Sequence, residues 1–254
     1  MIYFPPLRTA RLDVQLRELT LREAVDLAAT PLNSHHAATS ALLARVVESA
    51  EGVHSNPGRW TVQERMLAVA HYIAATSEGA GNFAIGELTF LDYLDDQRDA
   101  APDVVDAGQA CGDTWQARQI TGDEAIAMEQ VCSSHLDWVT ADVAARMVVV
   151  GAEEGRPDAT AKPAEFAAWL SERMGVIQAM PESTFEELFA AYRRSLETLQ
   201  HLFWLEFDEE GPFVLPKMKE GGAALAPARF LVSSCIGQLA RILGPRADRT
   251  SDLP

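Results

Sequence analysis

Cysteine is scarce in this chain. Cys111, Cys132 and Cys235 are an odd number without framework spacing, which argues against a disulfide-stapled fold and fits a reducing compartment. Long apolar runs are missing as well. Nowhere do about 18 apolar residues follow one another, the length a membrane-spanning helix needs. The nearest stretch, Ala223–Leu243, is interrupted by Pro227, Arg229, Gln238 and Arg241 and reads as an amphipathic helix. The opening MIYFPPLRTARL lacks the basic leader, apolar run and cleavage site of a signal peptide. Dense runs of Lys or Arg are also absent, and the formal net charge is −16. A nucleic-acid partner is therefore not expected, because binding phosphate backbones requires a cationic face that releases counterions. The acidity fits either solubility through self-repulsion or an acidic face that docks on a basic protein.

Signatures of catalysis are missing too. No Gly-x-Ser-x-Gly elbow is present, and Ser133-Ser134 and Ser233-Ser234 lie inside helical patterns. Gly79-Ala80-Gly81 has neither the preceding strand nor the following Lys-Ser/Thr of a phosphate-cradling loop. Asp92, Asp95 and Asp96 read as the solvated face of a short helix. Cys132 and His135 have the spacing of a zinc-ligand pair, with Cys111 about one strand earlier, yet no second close pair accompanies them. Cys132 also falls on an apolar stripe, where a reduced cysteine is a small hydrophobe. His35 and His36 point about 100° apart on a helix, and His71 reads as a hydrogen-bonded histidine. No catalytic residue, cofactor or metal ligand is assigned.

What the chain does contain is an internal echo. Residues 14–28, VQLRELTLREAVDLA, align without a gap to residues 115–129, WQARQITGDEAIAME. Gln15/Gln116, Arg17/Arg118, Thr20/Thr121, Glu23/Glu124 and Ala24/Ala125 are identical across the two. Each copy begins with the apolar–polar alternation of a half-buried strand. Each continues into Thr-x-x-Glu, the capping box in which hydroxyl and carboxylate satisfy orphan amides at a helix start. A third box, Thr61-x-x-Glu64, opens another helix.

Around these units the pattern predicts an extended aromatic arm at Tyr3-Phe4-Pro5-Pro6, which either folds back on its own core or reaches a neighbouring subunit. It predicts helices over Thr20–Ala29, Ser34–Ala50 and Asp123–Val150, and an irregular insertion at 79–112 with a short helix at Leu88–Leu94. Residues 151–162 form a polar hinge, followed by an almost purely helical region with helices at Pro163–Met174, Thr184–Leu205 and Pro227–Leu243. In Thr184–Leu205 the residues Phe185, Phe189, Tyr192, Leu196, Leu199 and Phe203 make a coiled-coil-like seam. That seam serves an internal helix pair or a subunit contact. The aromatic patch Trp204, Phe207 and Phe213 follows beside the acidic run 206–210.

The segments LRELTLREAVDLA, RWTVQERMLAVAHYIA and WQARQITGDEAIAME resemble proteins encoded in the tail-gene clusters of tailed bacteriophages, similar in layout to baseplate or tail-assembly proteins. The resemblance spans residues 12–150, rests on short motifs and does not include the aromatic segment 184–213. It implies a non-enzymatic tail or baseplate component, or an assembly chaperone, made in the host cytoplasm and carried or not carried into the virion. The implied partners are other tail proteins or further copies of the chain, with no nucleic acid and no membrane. The expected fold is mainly α with a minor β component: two repeated strand–capped-helix units (about 12–30 and 113–150) within residues 1–150, then a helical region over 163–254. Tyr3, Phe4, Tyr192, Leu199, Trp204, Phe207 and Phe213 are the expected contact residues. The competing readings are a helical metal-binding protein or enzyme using Cys111, Cys132, His135 and Cys235, and a bacterial cytoplasmic adaptor.

Overall fold

The computed structural model describes residues 2–30, 34–52, 55–77, 82–95, 102–152, 155–208, 211–217 and 226–243. Pro31, Gly79–Gly81, Asp96 and Glu209-Glu210, with parts of the expected insertion and hinge, lie outside them. Among the described residues the fold is mixed α and β with helix predominating, 50% against 21% strand. No described helix is long and apolar enough to cross a membrane.

The first 52 residues run β1 (Leu7–Arg8), β2 (Leu12–Leu16), α1 (Leu21–Ala28), α2 (His35–Val46) and β3 (Val47–Gly52). The strands form an antiparallel sheet in the order β1-β2-β3, with Val14 opposite Ala50 and Leu16 opposite Val47. Helix α3 (Val62–Thr76) and a short hairpin, β4 (Ala84–Ile85) with β5 (Leu88–Thr89), come next. Then follow β6 (Val104–Ala110), β7 (Asp113–Arg118), α4 (Gly122–Val131), α5 (His135–Arg146) and β8 (Met147–Val149), whose strands pair antiparallel in the order β6-β7-β8. The remainder is α6 (Pro163–Gln178), α7 (Glu182–Leu199), the hairpin β9 (Trp204–Asp208)/β10 (Gly211–Leu215) and α8 (Gln238–Leu243).

All three Thr-x-x-Glu signals open helices as capping boxes, at Thr20, Thr61 and Thr121. Each threonine hydroxyl accepts the amide of the glutamate three residues on, and the carboxylate accepts the threonine's own N–H. The starts of α3 and α4 lie side by side: Val62 N–H donates to Ile120 O and Gly122 N–H to Trp60 O.

Several elements depart from the sequence expectation. The helix expected over 123–150 breaks at Cys132–Ser134, because Ser134 accepts the Asp137 amide while the Asp137 carboxylate accepts the Ser133 N–H and hydroxyl. Short polar side chains thus start a second helix. The apolar runs at Val47 and Met147 leave their helices to complete the two sheets. Helix α7 stops at Leu199, not Leu205. There Gln63 Oε1, from α3, accepts the amides of His201, Leu202 and Phe203 at 2.9–3.0 Å, and its Nε2 donates to Leu199 O. The segment expected as helix 227–243 holds only a 3₁₀ turn at Val232–Cys235 and the short α8 at its end. Ala228 bridges to Val214, and Phe230 is buried against Phe83, Phe90, Tyr93 and Phe203. At Leu88–Leu94 a strand and a 3₁₀ turn replace the expected short helix.

Buried at the meeting of α2, α3 and α4 is Arg65. Its Nη2 donates to His36 O and Ser40 Oγ, and Asp123 and Glu129 are the acids that offset its charge. Burial lowers its pKa to about 10. The Glu129 carboxylate accepts the amides of His36 and Ala37 at 2.8 and 3.0 Å, so α2 is capped by a residue more than ninety positions away. Burial drives the His35 imidazole down to about 4 and His36 well below its ordinary value, with Arg65 adding to both. Between pH 6.5 and 4 the unfolded chain therefore takes up protons that the folded protein refuses, and stability must fall as pH falls. For His35 this amounts to roughly 2–3 kcal/mol across that window. Glu129, whose carboxyl burial raises, takes its proton early and offsets part of the loss at the acid end. Denaturant unfolding followed from pH 7 to pH 4.5 checks this: His35→Asn flattens the slope, and an unchanged slope contradicts the assignment.

Candidate functional site

Two surface features stand out from the described residues. The first is α8. Its Ala240 faces inward, while Leu239, Ile242 and Leu243 are 56–63% exposed. These three sit at i, i+3 and i+4 and share one helix face. Helix α8 packs on α1, whose first residue, Leu21, is exposed too. A stripe of large apolar side chains facing water is the arrangement found where one protein meets another.

The second is a cleft of about 300 Å³ lined by Arg59, Arg118, Thr121, Glu124, Arg156 and Asp158. Arg59 comes from the 3₁₀ turn before α3, Arg118 from the end of β7, Thr121 and Glu124 from the start of α4. Arg156 and Asp158 come from the segment joining β8 to α6. Residues 155–162 of that segment are fastened down: Asp158 pairs with Arg59 at 2.6 Å, Thr160 donates to Asp123, and Ala159 is buried. Arg156 donates to Glu124 at 2.6 Å and to Ala145 O, and its guanidinium stacks on Phe166 and Trp169.

No family model, curated protein or solved structure matches the chain. The residues themselves must carry the reading.

The expected contact residues are not brought together. Phe4 is buried and stacked on Tyr72, with Pro5 O bound to His71 Nε2 and Phe4 O to Gln15, so the arm folds back on the core. Tyr3, 78% exposed, points outward. Tyr192 and Leu199 are core residues, because the seam of α7 packs on β6. The Tyr192 hydroxyl donates to Asp142, itself held by Arg146, and burial beside that carboxylate pushes the phenol well above its ordinary value. Phe4, Tyr192 and Leu199 are thus corrected from contact surface to core. The hairpin divides the aromatic patch. Phe207 turns inward and stacks on Trp138, whereas half-buried Trp204 and Phe213 share the outer face with Glu206. Arg229 covers the Phe213 ring and pairs with Asp208.

No group of three His, Cys, Asp or Glu side chains among the described residues is placed to hold a metal ion. Burial pushes Cys132 and Cys235 up to about 12 and raises Cys111, so all three stay protonated at neutral pH and are poor nucleophiles. Sequence reasoning missed both surface features for different reasons. The α8 stripe was visible as spacing, but spacing does not say which face turns outward. The cleft arginines lie on segments up to about a hundred residues apart, and the one local hint is that Arg59 and Arg118 each shortly precede a capping box, at Thr61 and Thr121.

Proposed function

We propose that this protein is a non-enzymatic tail or baseplate structural or assembly protein of a tailed bacteriophage, working through protein–protein contacts and built from two copies of one ββααβ unit. The duplication reading is supported by parallel detail. Leu7–Gly52 and Val104–Val149 each run strand, strand, capped helix, helix, strand, with the second strand central in its sheet. Helices α2 and α5 are both 12 residues long, both begin at a histidine after a serine N-cap position, and both pass directly into a strand. The phage reading is supported by the resemblance of the capped-helix segments.

The observation that carries the interaction reading is the outward stripe Leu239, Ile242 and Leu243. Burying three such side chains in a partner's groove contributes roughly 1.5–3 kcal/mol each, enough to decide whether a complex forms. Leu239→Glu with Ile242→Glu is expected to leave the helical circular dichroism and melting temperature near those of the parent, because both side chains are already in water. In lysates of cells carrying the phage genes, the parent sediments with tail intermediates and the double variant stays at the position of the free chain. Equal sedimentation of the two contradicts the reading.

A further inference from the structure

Every capping-box glutamate in the described structure holds an arginine. Arg17 grips Glu23 through both oxygens, at 2.7 and 3.0 Å. Arg11 donates to Glu64 at 2.7 Å. In the second unit the position equivalent to Arg17 is Arg118, but Glu124 is already taken by Arg156 at 2.6 Å. Arg118 reaches the same Oε1 only at 3.4 Å, and this is its one side-chain hydrogen bond among the described residues. Three guanidinium groups thus meet two carboxylates, Glu124 and Asp158, in a chain whose net charge is −16. The next acid, Asp123, is turned toward Gly58 and held by Thr160, and does not line the cleft.

We propose that the cleft binds a compact oxyanion of the phosphate class, gripped by Arg118 and Arg59 above the fixed guanidinium of Arg156. Arg156 is held from behind by two aromatic rings and a carbonyl, so its orientation is set before any ligand arrives. Arg118 has most of its donor fork uncommitted and is partly open to solvent. Arg59 uses one N–H on Asp158 and is 40% exposed. The start of α4, with Thr121 on the cleft wall, adds the positive end of a helix dipole. Planar arginine forks match tetrahedral oxyanions through paired hydrogen bonds. The inference does not depend on the phage reading.

The test uses the full chain at constant ionic strength, titrated separately with inorganic phosphate and with glycerol 3-phosphate, and read by calorimetry and by the melting temperature. Saturable binding of either probe, with no response to equal ionic strength of chloride, is the expected result. Saturation by inorganic phosphate points to the free ion, and saturation by the ester alone to a phosphorylated ligand. Arg118→Gln is expected to weaken binding at least about tenfold, the scale of a lost charge-assisted pair, while the melting temperature without ligand stays near the parent's. Arg59→Gln serves as a second variant of the same prediction. No saturable binding of either probe, or equal affinity in both variants and the parent, overturns the proposal.

Discussion

Gln63→Leu is expected to destabilise the protein by about 3–5 kcal/mol, more than any other conservative substitution in α3. Leucine fits the same volume, so the effect isolates the amide. Gln63 Oε1 accepts three consecutive buried amides, those of His201, Leu202 and Phe203, and its Nε2 shares Leu199 O with Gln119. Each buried backbone group left without a partner costs about 1–3 kcal/mol. Three orphaned donors therefore outweigh the hydrophobic gain from leucine. Gln119→Leu provides the contrast. Leu199 O keeps its bond from Gln63 in that variant, so a loss of about 1 kcal/mol is expected. Denaturant titration of both proteins measures the difference, and a Gln63→Leu loss no greater than that of Gln119→Leu contradicts the account.

Gly122→Ala presents a sharper opposition of effects. Gly122 is the first residue of α4, and helix propensity alone predicts a gain of up to about 1 kcal/mol from alanine. A Cβ there, however, would overlap Nη1 and crowd Cζ and Cδ of Arg65. Arg65 is 2% exposed and cannot swing into solvent, so the guanidinium would have to abandon His36 O and Ser40 Oγ. Steric overlap wins, and a loss of about 3 kcal/mol is expected, the scale of overpacking a core with a broken charged hydrogen bond. The distinguishing result is a double-mutant cycle. With Arg65→Ala the overlapping atoms are gone, so Gly122→Ala should become neutral or mildly stabilising, giving a coupling of about 2 kcal/mol or more. Additive effects would show that the glycine is required for another reason.

These two positions also mark where the sequence stops being readable. Thr20, Thr61 and Thr121 announce their helices because a capping box closes within four residues. The strand at Leu12 and the one entering Arg118 were likewise visible as alternation. Helix ends were harder, since α7 is stopped by Gln63 and α2 is capped by Glu129, both from distant segments. Val47 and Met147 continued apolar runs, and nothing local says that such a run leaves a helix to join a sheet. The spacing from Phe185 to Phe203 marks a seam for a helix pair or a subunit contact, but α7 ends at Leu199 and packs on a sheet within the same chain. Gln63 and Arg65 read as polar positions on a helix. Only packing on both sides reveals that these polar side chains are buried, Arg65 against α2 and α4 and Gln63 against the end of α7. The cleft shows the same limit, because an arginine displaced from its glutamate is recognised only once Arg156 is seen in its place.

The most direct test of the functional account is quantitative mass spectrometry of density-purified phage particles, and of the tail intermediates beside them, from the strain that carries this gene. The account predicts peptides of this chain at fixed stoichiometry in the particle, as a component, or abundant in the intermediates and lost from the particle, as an assembly factor. Their absence from both fractions, with the protein present in the cell, would contradict the account and return the chain to a cellular role.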